Sequence, residues 1–145
     1  MESKIRHQYD ADLALRAPGS AAITATTATG AVDIYRLDRA RGVQGRYGIG
    51  SFDIVIHFGA LDTTTGDETY FIDVETVDAN GANAVVQATV PVVAGNLGEP
   101  IVLGFHPSTF AAKDPDAAKV RLNVRVAGTT PSATFYAFLA PHSHY

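Results

Sequence analysis

The chain has no cysteine and no tryptophan, and its basic residues do not outnumber its acidic ones. Without cysteine there is no disulfide framework, no thiolate zinc site and no thiol nucleophile. Without tryptophan, and with aromatics at only 9% of residues, the usual stacking platform of a sugar-binding module is missing. The 11 basic and 15 acidic residues leave a net charge of −4. General binding to nucleic acid or to an anionic membrane needs a basic footprint, which this balance does not supply. No run of about 18 apolar residues occurs, so no membrane-spanning helix is expected. The first residues, MESKIRHQYDADLALRAPG, scatter charge and contain no apolar stretch, which does not fit a signal peptide. Internal repeats and low-complexity tracts are also lacking.

What the chain does contain is the texture of short β-strands. Its 145 residues suit one domain, which at this size buries roughly 68–70% of its unfolded surface and folds without staples. Residues 1–18 read as an extended, polar N-terminal arm, with room for a short helix over Tyr9–Arg16, ending at the Ala17-Pro18-Gly19 break. Residues 19–145 read as the folded domain. A thin, threonine-rich strand is expected over Ala22–Thr29 and a short one over Val32–Tyr35. The stretch Arg36–Gly48 is a loop rich in glycine and arginine. The strongest alternation follows. Phe52, Ile54, Ile56 and Phe58 share one face of a strand, and Tyr70, Ile72, Val74 and Thr76 share one face of the next. Gly59–Glu68 connects them as a polar loop, and Asp78-Ala79-Asn80-Gly81 has turn chemistry. Strands over Val85–Val90 and Ile101–Phe105 come next, then a loop from His106 to Ala118 with one helical turn around Ser108–Ala112.

The last segment, Lys119–Pro141, reads as a hairpin. Its first arm alternates Val120, Leu122, Val124 and Val126 against Lys119, Arg121, Asn123 and Arg125. Its second arm has Phe135, Ala137 and Leu139 on one face but Tyr136 and Phe138 on the other. A strand apolar on both faces needs two covers, so the second face is expected to meet something beyond the domain's own core. About eight strands at turn spacings of roughly 8–12 residues define an all-β, single-domain antiparallel β-sandwich, of which an eight-stranded jelly roll is the expected form.

Three blocks of sequence carry a resemblance to a known family. They are Asp12-Leu13-Ala14-Leu15 with Ala21–Thr26, the Phe52–Phe58 strand with Phe71–Thr76, and Val126–Thr129 with Phe135–Pro141. Together they resemble the small jelly-roll capsid decoration (cement) proteins of tailed bacteriophages. The resemblance implies a structural role without catalysis. The protein would be made in the bacterial host cytoplasm and reside in the virion, on the capsid surface. There it would bind the major capsid protein at subunit junctions as a homotrimer and stabilise the shell, with no cofactor. The alternative is a carbohydrate-binding or receptor-binding jelly-roll module of the lectin or tail-fibre kind, with Tyr35 and Tyr47 as its platform.

Candidate contact residues follow from side-chain chemistry. Tyr136 and Phe138 supply aromatic area at low entropic cost, although the 106–118 loop could equally cover them. Arg36, Arg39, Arg41 and Arg46 could dock on an acidic shell by bidentate pairing, or simply be solvated. Arg121 and Arg125 are expected to be cross-strand partners of carboxylates such as Asp73 and Glu75. No chemical constellation competes with these. His142 and His144 could chelate a metal weakly, but a structural zinc site wants four ligands and no others are evident. Asp62, Asp67 and Glu68 lack the order of a calcium loop. Gly45–Gly50 lacks the lysine and helix of a phosphate cradle, and Ser108 and Ser132 lack a nucleophile context. No enzyme activity is expected.

Overall fold

A computed structural model describes residues 9–34 and 51–141. Among them are nine strands: β1 (Ala14–Arg16), β2 (Thr27–Ala28), β3 (Val32–Asp33), β4 (Phe52–Leu61), β5 (Thr69–Val77), β6 (Val85–Val92), β7 (Ile101–Phe105), β8 (Lys119–Ala127) and β9 (Ala133–Pro141). They form two antiparallel sheets, making an all-β sandwich. Sheet A runs β1-β9-β4-β7; sheet B runs β2-β8-β5-β6, with β3 continuing along the same strand, β8, that β2 pairs with. The pairings are nested. β1 pairs with β9, β2 and β3 with β8, β4 with β7, and β5 with β6. The chain is thus one long antiparallel ribbon, rolled so that β4 also meets β9 and β5 also meets β8.

The alternation of each long strand explains the interior. Phe52, Ile54, Ile56 and Phe58 from β4, Ile72 and Val74 from β5, Val120, Leu122 and Val124 from β8, and Ala137 and Leu139 from β9 all point between the sheets and are fully or almost fully buried. A short helix, α1 (Pro107–Lys113), closes one end. Proline opens it, the His106 side chain accepts from the Ser108 N–H, and Phe110 is driven into the core against Phe52 and Phe105. The buried Asp114 carboxylate accepts from Thr76 Oγ1 at 2.8 Å and fixes the helix end to sheet B.

Several expectations change. The Lys119–Pro141 hairpin is not a hairpin: β8 and β9 are central strands of different sheets, and residues 128–132 carry the chain from one to the other. Alternation reports which side chains share a face, but it does not say which strand lies alongside. The N-terminal segment expected as an extended arm contains a 3-10 turn at Ala11–Leu13 and strand β1, with Leu13 and Leu15 buried in the core. The thin strand over Ala22–Thr29 reduces to β2 and an isolated bridge, Ile23 to Ala133. Its small side chains give a strand little to bury. The helical turn near Ser108 is a full helix, and β4 runs on to Leu61.

Two sheet-crossing connections, 62–68 and 128–132, meet at one end of the sandwich. The Asp67 carboxylate accepts from Thr129 N–H and Oγ1, and Glu68 accepts from Thr130 Oγ1. The Tyr70 hydroxyl donates to the Asp62 carbonyl and accepts from the Ser132 N–H. The approach is so close that a Cβ on Gly128 would lie 2.7 Å from Glu68 Cα and 2.8 Å from the Asp67 carbonyl oxygen, at a φ of +114°. Gly81 also has positive φ, at +78°, but open space around it. Gly128→Ala should therefore destabilise the fold by clearly more than the 1–3 kcal/mol typical of a strained backbone position, and Gly81→Ala by about 1 kcal/mol. Urea unfolding of the two variants measures the difference; equal losses would mean that the crossing turns are free to move apart.

Candidate functional site

The outward faces of the two sheets differ in kind. On sheet A, β4 and β9 set Val55 beside Phe138, His57 beside Tyr136 and Asp53 beside Ala140, and β7 sets Val102 beside Val55. Val55, Phe138 and Ala140 form a small apolar cluster separate from the main core, with Tyr136 packed on it. The rings form a near-parallel group: His57 and Tyr136 lie 5.2 Å apart at 16°, Tyr136 and Phe138 6.3 Å apart at 7°. Tyr9 meets Phe138 edge-on at 5.5 Å.

The second apolar face expected from the β9 pattern is therefore present, and the two aromatics on it have different surroundings. Phe138 is only 4% exposed, and Tyr9 of the same chain packs edge-on against it beside Tyr136. Tyr136 and His57 are half-buried, and Val102, on edge strand β7, is 43% exposed. The exposed part of this face thus centres on Tyr136, His57 and Val102. His57 and Val102 were legible as outward residues from the alternation of their strands. That they adjoin Tyr136 and Phe138 depends on strand order, which sequence patterning does not carry.

The outward face of sheet B carries internally paired charges, with Phe71 and the exposed Val86 among them. Arg125 clamps Asp73 with Nε at 2.6 Å and Nη2 at 3.1 Å, and Thr89 donates to the same carboxylate at 2.7 Å. Arg121 pairs with Glu75 at 3.0 Å. The Arg125 guanidinium also lies over the Phe71 ring, 5.0 Å from its centre. Both arginines thus take the partners their alternation suggested. The Arg125 hydrogen bonds, more than the cost of burial, hold the Asp73 carboxyl below the usual aspartate range. Arg125 is raised in turn, chiefly by the same hydrogen bonds.

Arg36, Arg39, Arg41 and Arg46 lie outside the described residues, as do Tyr35, Tyr47, the Gly45–Gly50 stretch, His7, His142 and His144. Of the other histidines, His57 belongs to the ring group and His106 caps α1, its Nδ1 2.7 Å from Ser108 Oγ. That close histidine–serine pair was not foreseen. It sits beside a shallow open depression lined by Ser51, Gly104, Phe105, His106 and Thr109. Since Nδ1 accepts the Ser108 N–H, its lone pair serves the helix cap. The acidic loop is likewise committed to structure. Asp62 accepts from Thr64 and Asp67 from Thr129, which lowers both carboxyls. Among the described residues no group of three or more histidine, aspartate or glutamate side chains is placed to hold a metal ion.

Compared with known proteins, the chain matches no family model, no curated relative and no solved structure.

The Asp73–Arg125 clamp has a defined pH signature. Because the folded carboxyl has the lower pKa, its stabilising effect is complete above the ordinary aspartate pKa of about 4 and fades as the pH falls below it. Asp73→Asn should therefore lower stability at pH 7 and reduce the loss between pH 7 and pH 3. Asp62, Asp67 and Asp78 are also lowered, so part of the acid sensitivity remains. Urea unfolding at the two pH values checks this; an unchanged acid loss would exclude the clamp as a contributor.

Proposed function

We propose that this chain is a structural, non-enzymatic virion protein. It binds the outside of a tailed-phage capsid at subunit junctions, as a homotrimer in contact with the major capsid protein, and stabilises the shell. The observation that carries this reading is the contrast between the two outward faces. A protein whose work is contact needs a rigid body and a surface with unmet apolar area. Sheet A offers such a surface around Tyr136, His57 and Val102, continuous with the buried Phe138 and Val55. Sheet B spends its charges on internal pairs, and the apolar groups on its exterior, Phe71 and Val86, lie among those pairs instead of in one cluster.

The nested strand order supports the jelly-roll form of the sandwich, since that fold is a rolled antiparallel ribbon with first strand beside last. The sequence resemblance to decoration proteins supplies the partner, and the arginines of residues 36–46 supply positive charge for an acidic shell. One feature favours a second reading, a carbohydrate-binding or receptor-binding module. The near-parallel rings of His57, Tyr136 and Phe138 resemble a stacking surface. The small exposure of Phe138 weighs against it.

Tyr136→Ala tests the contact surface without emptying the core. We expect an unchanged circular dichroism spectrum, a smaller assembly by sedimentation, and reduced occupancy on undecorated expanded tailed-phage capsids. Phe138→Ala should instead cost stability of the chain itself, by about 3 kcal/mol as for other buried phenylalanines. A wild-type monomer that ignores such capsids would overturn the proposal, and specific binding on a glycan array would favour the second reading.

A further inference from the structure

Every open sheet has edges, and an edge strand presents unpaired N–H and C=O groups to any strand that comes alongside. Among the described residues this sandwich has four edges, and three of them are blunted. β6 contains Pro91, its pairing with β5 is irregular at Val74–Glu75, and its Val86 carbonyl accepts from Lys113 Nζ at 2.7 Å. β1 has three residues, an irregular register and Arg16 at its end. β2 and β3 have two residues each. Thr26 and Thr29 take up neighbouring β8 amides, from Val126 and Leu122, with their hydroxyls.

β7 carries none of these devices. Its sequence, Ile101-Val102-Leu103-Gly104-Phe105, has no charge and no proline, and its pairing with β4 is regular over all five residues. Ile101, Leu103 and Phe105 pack against the core yet stay half-exposed, while Val102 and Gly104 are exposed on the outward side.

We propose that β7 pairs with β7 of a second copy of this chain, antiparallel and two-fold symmetric about Leu103. In that register Leu103 lies opposite the partner's Leu103, and Ile101 opposite the partner's Phe105. These inward residues complete each other's burial. On the outward side Val102 lies opposite the partner's Gly104, so the projecting side chain meets a position without one. One step further, Pro100 faces the partner's His106 and Glu99 the partner's Pro107, so no like charges meet. The five-residue strand is self-complementary in chemistry, and sheet A becomes continuous through both copies. The apolar row Phe138–Val55–Val102 then ends at the second copy instead of at solvent.

A five-residue edge is a small contact, so the association depends on concentration. The contact is two-fold and goes beyond the proposed trimer: where both form, β7 links one trimer to the next.

The register dictates the test. Val102→Glu with Gly104→Glu sets like charges directly opposite each other twice, at two exposed positions. Val102→Glu with Gly104→Lys sets opposite charges at the same two places. Because Gly104 lies beside Asp53 of β4 in the same chain, urea unfolding first establishes that both variants remain folded. Sedimentation equilibrium over a range of concentrations should show wild-type mass doubling, from one copy to two, or from three to six and beyond, because a trimer carries three β7 edges. The first variant should dissociate about tenfold more readily, which corresponds to about 1.4 kcal/mol, and the second should recover wild-type association. Hydrogen exchange should show β7 amides gaining protection as wild-type concentration rises. Wild-type mass independent of concentration, or equal behaviour of the two variants, would overturn the pairing. A trimer that never doubles refutes this inference alone; doubling from a single copy refutes the trimer alone.

Discussion

The sandwich depends on a clasp between two turns. The chain changes sheets at residues 62–68, between β4 and β5, and again at 128–132, between β8 and β9. These four strands are the central ones, β4 beside β9 and β5 beside β8. Where the two crossings meet, carboxylates of Asp67 and Glu68 accept from Thr129 and Thr130, Tyr70 bonds to both turns, and Gly128 permits backbone contact that no other residue would. Antiparallel register is set at the turns, and a one-residue slip would exchange core and surface on every strand that follows. With the clasp in place, the long β4–β9 and β5–β8 ladders run from it in phase, and the inner faces of both sheets close on one core.

The same phase decides the outer faces. β8 and β5 bring Arg121 to Glu75 and Arg125 to Asp73, so sheet B satisfies its own charges. β4 and β9 bring Val55, Phe138 and Ala140 together as a buried cluster on the far side of sheet A, with the partly open Tyr136, His57 and Val102 around it. Burying apolar area is the dominant favourable term in both folding and association. The contrast between the two outer faces, on a body made rigid by two long ladders, is what the proposed contact role rests on. The edge strand β7 borders the sheet A face and, among the described residues, lacks the devices that blunt the other edges.

Much of this was legible in particular residues. The alternation of Phe52–Phe58, Tyr70–Thr76 and Lys119–Val126 marked three central strands, and Tyr136 with Phe138 marked the second apolar face of a fourth. Arg121 and Arg125 pointed to Asp73 and Glu75 because one strand face repeats every second residue. The weaker elements were less legible. Ala22–Thr29 has too little bulk to hold a full strand, and Ala14–Arg16 enters sheet A because β9 has a free side for it. The Lys119–Pro141 segment looked like a hairpin because a short polar turn between two alternating runs has the same local pattern whether the chain returns beside itself or crosses to another sheet.

By itself the sequence determined the class of fold, the membership of each strand face and the absence of thiol chemistry, because these follow from composition and a period of two along the chain. Only the tertiary structure decided which strands are neighbours, that Phe138 is covered while Tyr136 stays partly open, and that β7 is the unblunted edge among the described residues. Those are properties of pairs of segments far apart in the chain. They are settled by which ladders and which closed core bury the most apolar surface at once, and no local pattern records that choice.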